Sequence, residues 1–123
     1  MYETFIFNCN DDDSINNNSQ IVGNWKLVQE KIYVTDNSGK IVLATTDYST
    51  QNIIYKFKGN NILTVSGVVG ENHSHVNGDY KYNSNADYVE IDNLKWYSTH
   101  TSTTLILDQS YVDGSNLTFT KQK

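Results

Sequence analysis

Apolar and polar residues alternate with a period of two along much of the chain beyond Gln20. The first such segment covers residues 24–34, and Trp25, Leu27 and Gln29 share one of its two faces. Successive side chains of a strand point to opposite faces, so this period is typical of a strand with one buried face. The pattern therefore predicts a strand over residues 24–34 that turns Trp25, Leu27 and Gln29 towards a core.

Eight further segments carry the same alternation or a short apolar run, and polar turn residues separate them. They cover residues 40–44, 52–58, 62–69, 76–82, 88–91, 94–99, 103–108 and 117–120. The Asn, Asp and Gly residues between them tolerate the positive φ angles that tight turns require. The polar residues 45–51 and 70–75 are predicted to form loops.

Short strands at this even spacing, without a helical period, predict an all-β fold that is either a sandwich or a barrel. Sequential hairpins favour an antiparallel up-and-down barrel of about eight strands. Closing the sheet into a barrel also removes exposed strand edges, which otherwise tend to pair with other chains. With 123 residues, the chain is long enough to form one domain with a substantial hydrophobic core.

The first strand opens with the motif Gly23-x-Trp25. Together with the number of strands and the length of the chain, this motif resembles the lipocalin-like family of small bacterial barrel proteins. The resemblance implies a lipocalin-like barrel over residues 21–123 that binds a small ligand, with Trp25 as the plug of its closed end. In that family an Arg packs over the Trp. This chain has no Arg, and we expect Lys121 to replace it as a cation–π partner.

Seven strand residues form the candidate ligand site if the alternation holds through the barrel. They are Trp25, Gln29, Tyr55, Phe57, Tyr80, Tyr82 and Phe119. An eight-stranded barrel is just wide enough to be filled by side chains or to hold one small ligand. Inward aromatic rings fit a cavity in which Tyr hydroxyls orient an amphipathic ligand, and they equally fit a filled core. The sequence leaves these two alternatives open.

Charge and composition exclude several classes of partner. The net charge is −5, and all 9 basic residues are Lys. A nucleic-acid partner requires a basic face, and bidentate phosphate recognition requires Arg. No apolar run approaches the roughly 18 residues of a membrane-spanning helix. We therefore predict a monomer that binds no nucleic acid and that contacts a membrane only through a lipid anchor.

Residues 1–20 are predicted to form a disordered acidic leader, because residues 8–20 are rich in Asn and Asp and have almost no apolar side chain to bury. Within it, Cys9 precedes the acidic run Asp11–Asp13, and this arrangement resembles the mature start of bacteroidete-type surface lipoproteins. The resemblance implies acylation of Cys9 and a location at the outer membrane or cell surface. The alternative is a cytosolic protein with a disordered leader and an inert thiol.

Residues for metal binding or catalysis are sparse. The segment His73-Ser74-His75 places two imidazoles on one side of an extended chain, and a third zinc or nickel ligand could come from Glu71, Asp79 or His100. Because the segment lies in a predicted loop without a fixed third ligand, we predict a solvated loop and neither a metal nor a cofactor. The sequence contains no nucleophile elbow and no glycine-rich phosphate loop, so we predict no enzymatic activity.

The predicted function is that of a cell-envelope lipoprotein that sequesters a small apolar or amphipathic molecule inside its barrel. The alternative is a protein-binding envelope module, such as an inhibitor or assembly factor, with a side-chain-filled barrel. Its contacts would lie on loops and exposed aromatic residues, for which Tyr48, Tyr97 and Tyr111 are candidates. A third alternative, an enzyme on the same barrel, would require an acid–base pair.

Overall fold

The computed structural model describes residues 21–70, 73–112 and 114–122. These residues form nine β-strands and a short 3-10 helix. The elements are β1 (Gly23–Thr35), β2 (Ile41–Asp47), β3 (Ile54–Phe57), β4 (Ile62–Ser66), β5 (Gly78–Ser84), β6 (Tyr88–Ile91), β7 (Leu94–His100), β8 (Thr104–Asp108), the 3-10 helix Ser110–Val112, and β9 (Asn116–Gln122). The predicted all-β class is confirmed. The predicted leader, residues 1–20 with Cys9, lies outside the described residues.

Eight of these strands close into a barrel. They follow the order β1-β3-β4-β5-β6-β7-β8-β9, and β1 also pairs with β9. Every neighbouring pair is antiparallel, including the closing pair, in which residues 24–31 of β1 run against residues 116–122 of β9. The predicted antiparallel up-and-down barrel is therefore confirmed, and the sandwich alternative is excluded. Closure pairs both edges of the sheet and leaves neither exposed along the ring.

The ninth strand, β2, lies outside this ring. It pairs with the second half of β1, where Gln29 lies opposite Asp47 and Thr35 lies opposite Ile41, while the first residues of β1 pair with β3. Residues 45–47 continue β2, so the prediction of a loop over residues 45–51 is wrong for those three. Their side chains are polar, so the sequence pattern does not indicate a strand there. Hydrogen bonds to the backbone of β1 stabilise this part of β2.

A β-bulge at Val28 changes which residues of β1 face the core. Before the bulge Leu27 lies opposite Phe119, and after it Glu30 lies opposite Leu117. Side chains of directly opposed residues lie on the same face of a sheet, and both Phe119 and Leu117 are buried. The inner face of β1 therefore passes from odd-numbered to even-numbered residues, and the bulge places a carboxylate on the inside of the barrel.

This bulge makes the prediction for Gln29 wrong. Gln29 lies opposite Thr118, on the outer face, and does not share the inner face with Trp25 and Leu27. One extra residue in a strand reverses the facing of every residue that follows it, and a strict period of two does not reveal where such a residue lies.

Apolar and aromatic side chains fill the barrel. The largest of those with less than 2 % of their surface exposed are Trp25, Tyr55, Tyr82, Phe57, Phe119, Ile53, Leu63, Ile91, Leu105, Leu107, Leu117 and Val65. The rings of Phe57 and Tyr82 meet edge to face with centroids 5.0 Å apart, and those of Tyr55 and Phe119 lie 4.8 Å apart. Such contacts stabilise a core beyond the burial of apolar area alone. The predicted inward facing of these four rings is confirmed, and they pack against one another.

Candidate ligand-binding cleft

A cleft of about 270 Å³ opens at the end of the barrel where β6 turns into β7. Four residues with large apolar surfaces form one part of its wall: Tyr80, Ile91, Leu94 and Trp96. Polar side chains form the other part: Ser74, His75, Asp92, Gln109 and Ser115. An apolar surface combined with a few converging polar groups is the usual composition of a small-molecule site.

Trp96 carries an unpaired donor in this wall. Only 3 % of its surface is exposed, and its indole nitrogen has no hydrogen-bond partner within the described residues. Most buried polar groups in proteins are hydrogen-bonded, and leaving one unpaired costs roughly 1–3 kcal/mol. The indole N–H of Trp96 is therefore a buried donor without an acceptor among the described residues, and a water molecule or a ligand oxygen that reached it from the cleft would remove this cost.

His75 lies beside Trp96, with ring centroids 5.5 Å apart, and its Nδ1 lies 2.8 Å from the hydroxyl oxygen of Tyr55. The ring is buried and also meets Tyr80 edge to face. Burial lowers the pKa of His75 to about 4, against a weaker opposite effect of the Asp92 carboxylate. His75 is thus a neutral imidazole at pH 7.

The contact with Tyr55 determines the tautomer of His75. Burial, with a smaller contribution from Glu30, raises the pKa of Tyr55 far above its usual value, so the phenol keeps its proton. If Nδ1 also carried a proton, one of the two protons would lack an acceptor inside the barrel. The favourable arrangement has the Tyr55 hydroxyl donating to a bare Nδ1. The proton of His75 then lies on Nε2, which makes this residue of the cleft wall a second neutral donor.

The carboxylate of Glu30 lies behind the polar part of the wall. Its Oε2 accepts hydrogen bonds from Ser115 at 2.5 Å and from Ser74 at 3.2 Å, and its Oε1 accepts one from Tyr48 at 3.4 Å. All three donors are neutral hydroxyls, so these contacts leave the negative charge of the carboxylate uncompensated. Because Ser74 and Ser115 also line the cleft, the Glu30 carboxylate is hydrogen-bonded to two residues of its wall.

The predicted site residues occupy several regions. Tyr80 lines the cleft, and Tyr55 reaches it through His75. The remaining predicted members lie elsewhere: Phe57, Tyr82 and Phe119 in the packed interior, Trp25 in a depression formed with His100 and Lys121, and Gln29 on the outer face. Sequence reasoning missed Trp96, His75 and Glu30 as members of one site, because they come from separate segments and one of them follows the bulge.

The two imidazoles that the sequence offers as possible metal ligands diverge. Nε2 of His73 lies 3.0 Å from the carbonyl oxygen of Val69, and its ring packs on Tyr48, whereas His75 points into the barrel. Within the described part of the chain, no three His, Cys, Asp or Glu side chains come together as metal ligands. The prediction that residues 73–75 form a solvated loop is wrong for His75, because rings from three strands bury it.

Two of the three predicted surface tyrosines are exposed. Tyr97 and Tyr111 are 46 % and 50 % exposed and meet edge to face at 5.1 Å, with the Lys95 ammonium 5.2 Å from the Tyr97 ring centroid. The prediction is wrong for Tyr48, which is buried under the loop that carries His73. The exposed pair leaves a small aromatic surface beside a cation.

No family model, curated protein or solved structure matches this chain. Fold and site define its class: a closed eight-stranded antiparallel barrel with a filled interior and a cleft at one end. Within the residues described above, no helix has the length and hydrophobicity needed to cross a bilayer.

Proposed function

We propose that this protein binds a small amphipathic molecule in the cleft beside His75 and Trp96. The observation that carries the proposal is the buried indole N–H of Trp96, which has no partner within the described residues. Ile91 and Leu94 offer apolar surface to the ligand body, and the donors on His75 and Trp96 orient its polar group. The proposed function is binding alone, without a chemical step.

The position and size of the cleft narrow this proposal. The centre of the barrel is occupied by side chains, so the proposed ligand lies at the mouth and not inside. A volume of about 270 Å³ is slightly smaller than typical ligand pockets, which span roughly 300–1,000 Å³. A compact molecule with one ring or a short chain fits this volume better than a long lipid does.

The chain's two tryptophans provide a direct test. The indole N–H of Trp25 donates to the carbonyl oxygen of Ile21 at 2.8 Å, whereas that of Trp96 is unpaired within the described residues. In a proton–nitrogen correlation spectrum of labelled protein, ligands found in a small-fragment screen should move the Trp96 indole signal and leave that of Trp25 in place. Fragments that bind without moving the Trp96 signal would contradict the proposed site.

A variant pair makes the same test quantitative. Trp96→Phe removes the donor but keeps an aromatic wall, so it should weaken binding about 2- to 10-fold, the usual effect of one hydrogen bond. Tyr97→Phe, on the same strand but exposed, is the matched control and should leave affinity unchanged. Equal affinities of all three proteins would show that the indole N–H takes no part.

We also propose that the protein belongs to the lipocalin-like family and acts as an envelope lipoprotein acylated at Cys9. Support comes from the closed barrel, from the Gly23-x-Trp25 opening, and from the acidic run after Cys9. Expression of the full chain with its native upstream region in a related bacterium tests the anchor. We expect the chain to fractionate with the membrane and to carry the added mass of a lipid. Cys9→Ala should abolish both properties. A water-soluble, unmodified wild-type chain would contradict the lipoprotein proposal.

Protein binding is the second candidate function, favoured by the exposed Tyr97–Tyr111 pair beside Lys95. Tyr is enriched at protein interfaces, where it contributes large contact area at a small cost in side-chain entropy. Under this alternative Tyr97→Ala would abolish partner capture while Trp96→Phe would not. If the protein instead binds a ligand in the cleft, Trp96→Phe would weaken ligand binding and Tyr97→Ala would not.

A further inference from the structure

We infer that the cleft selects uncharged or cationic ligands that carry a carbonyl-type acceptor, and that it discriminates against carboxylates. This inference rests on the proposed function, since it specifies the chemistry of the molecule that the cleft would hold. It follows from the unequal distribution of donors and charges around the cleft: neutral donors at His75 and Trp96, and carboxylates at Glu30 and Asp92.

The donors favour an acceptor oxygen. The rings of His75 and Trp96 lie side by side with centroids 5.5 Å apart, and both residues line the cleft. With Nδ1 of His75 accepting from Tyr55, its Nε2–H and the indole N–H of Trp96 are two neutral donors in one wall. An amide or ketone oxygen can accept from such donors without bringing a net charge into a largely buried site.

The charges oppose an anion. Asp92 lines the cleft, and the Glu30 carboxylate lies directly behind Ser74 and Ser115. None of the described residues that line the cleft is a Lys, and the whole chain carries a net charge of −5. A ligand carboxylate would therefore meet two like charges and no ammonium group. A ligand amine would meet two opposite charges, and the serine hydroxyls can rotate to accept from it.

Together these features define a ligand class. Its apolar body is compact enough for about 270 Å³, and it packs against Tyr80, Ile91 and Leu94. Its oxygen accepts from the imidazole and indole N–H groups, and any ionised group it carries is an ammonium. Fatty acids and other carboxylates, in contrast, place their charge where the barrel mouth is already negative.

The test uses three probes with the same aromatic body: phenylacetamide, phenethylamine and phenylacetate. Binding to the full chain is measured by titration of the Trp96 indole signal, with the Trp25 signal as internal reference. We expect the amide to move the Trp96 signal and the carboxylate to bind at least about tenfold more weakly than the amide. The amine has no acceptor oxygen but brings an opposite charge, so it should bind more weakly than the amide and more tightly than the carboxylate.

Variants identify the source of this discrimination. Glu30→Gln should bring the affinity for phenylacetate towards that for phenylacetamide, whereas Asp79→Asn should leave the difference in place. Asp79 is an exposed carboxylate that accepts a hydrogen bond from Thr64 on the outer face, so its variant controls for net charge. Asp92→Asn is a second probe that keeps the fold should Glu30→Gln destabilise it, because Asn tolerates the φ of 54° at this position.

The possible outcomes distinguish a failure of this inference from a failure of the proposed function. Phenylacetate binding as tightly as phenylacetamide, with the Trp96 signal shifting, would overturn the inference and leave ligand binding at the cleft intact. Preserved discrimination in both Glu30→Gln and Asp92→Asn would also overturn it. Failure of all three probes to move the Trp96 signal would overturn both the inference and the proposed function.

Discussion

The ammonium group of Lys121 lies 4.5 Å from the centre of the Trp25 ring and also donates a 3.0 Å hydrogen bond to the carbonyl oxygen of Val22. The two residues are direct partners on β9 and β1, the pair that closes the barrel. Only 1 % of the Trp25 surface is exposed, and the lysine covers one face of its ring. The cation–π contact predicted for Lys121 is confirmed.

This relationship also gives a reason for the glycine of the Gly23-x-Trp25 motif. A Cβ atom at Gly23 would lie 2.5 Å from Nζ of Lys121, and the backbone there has a φ of +136°. Most residues avoid that conformation. Gly23 thus leaves the space that the lysine occupies and adopts a φ that other residues avoid.

Lys121→Met should destabilise the protein while keeping an aliphatic side chain over the indole. The variant loses a cation–π contact worth about 0.5–1 kcal/mol and a hydrogen bond of similar size. Urea unfolding should therefore show a loss of about 1–2 kcal/mol. Lys56→Met, at an exposed position of β3, is the control and should stay within about 0.5 kcal/mol of the wild type. Equal effects of the two variants would contradict the capping role.

Gly23→Ala should also destabilise the barrel, by roughly 1–3 kcal/mol, because the alanine adopts a strained φ and displaces Lys121. Gly59→Ala is the matched control, since a Cβ there meets nothing within 4 Å. Thermal and urea unfolding of both variants measure the difference. A Gly23→Ala protein as stable as Gly59→Ala would show that the glycine has no such role.

Tyr55→Phe tests the hydrogen bond that fixes His75. The variant keeps the ring in the core but leaves Nδ1 of His75 buried without its donor, which should cost about 1–3 kcal/mol of unfolding free energy. Tyr97→Phe removes an exposed hydroxyl and should have little effect. A Tyr55→Phe protein with wild-type stability would indicate that the hydroxyl is not needed to hold His75.

Stability should fall as the pH decreases through the range in which an unfolded His is protonated. The pKa of His75 is about 4 in the folded protein against 6.5 for an unperturbed His, so the unfolded state binds more protons between these values. The contribution of His75 is complete above pH 6.5 and is lost progressively down to about pH 4. The total loss is roughly 3 kcal/mol, at 1.36 kcal/mol for each unit of pKa difference.

Urea unfolding across this pH range measures the effect. Carboxylates also titrate near its lower end, so the informative quantity is the difference between wild type and His75→Gln. That difference should depend on pH between about 6.5 and 4, the range in which the unfolded His is protonated before the buried one. A wild type and a His75→Gln variant with the same pH dependence would contradict the burial of a neutral imidazole.

Local sequence determined much of this fold. β6 has the predicted bounds, 88–91, and the inward facing of Tyr55 and Phe57 follows from the alternation along β3. Strand pattern and turn composition depend on neighbouring residues, because a half-buried strand needs apolar side chains at every second position. The contact between Trp25 and Lys121 is likewise expected, because the family that the chain resembles places an Arg over this Trp and the chain has Lys but no Arg.

The tertiary structure alone decided the cleft. Glu30 faces inward because of a bulge at Val28 that is defined by pairing with β9, about 90 positions further along the chain. His75 is buried by rings from β3, β5 and β7, although its own segment is polar. Barrel closure brings these separate residues to one mouth, and burial there then lowers the pKa of His75 and leaves Trp96 unpaired within the described residues. The sequence pattern indicates which apolar side chains are buried, whereas contacts among distant strands determine which polar groups lie together at the cleft.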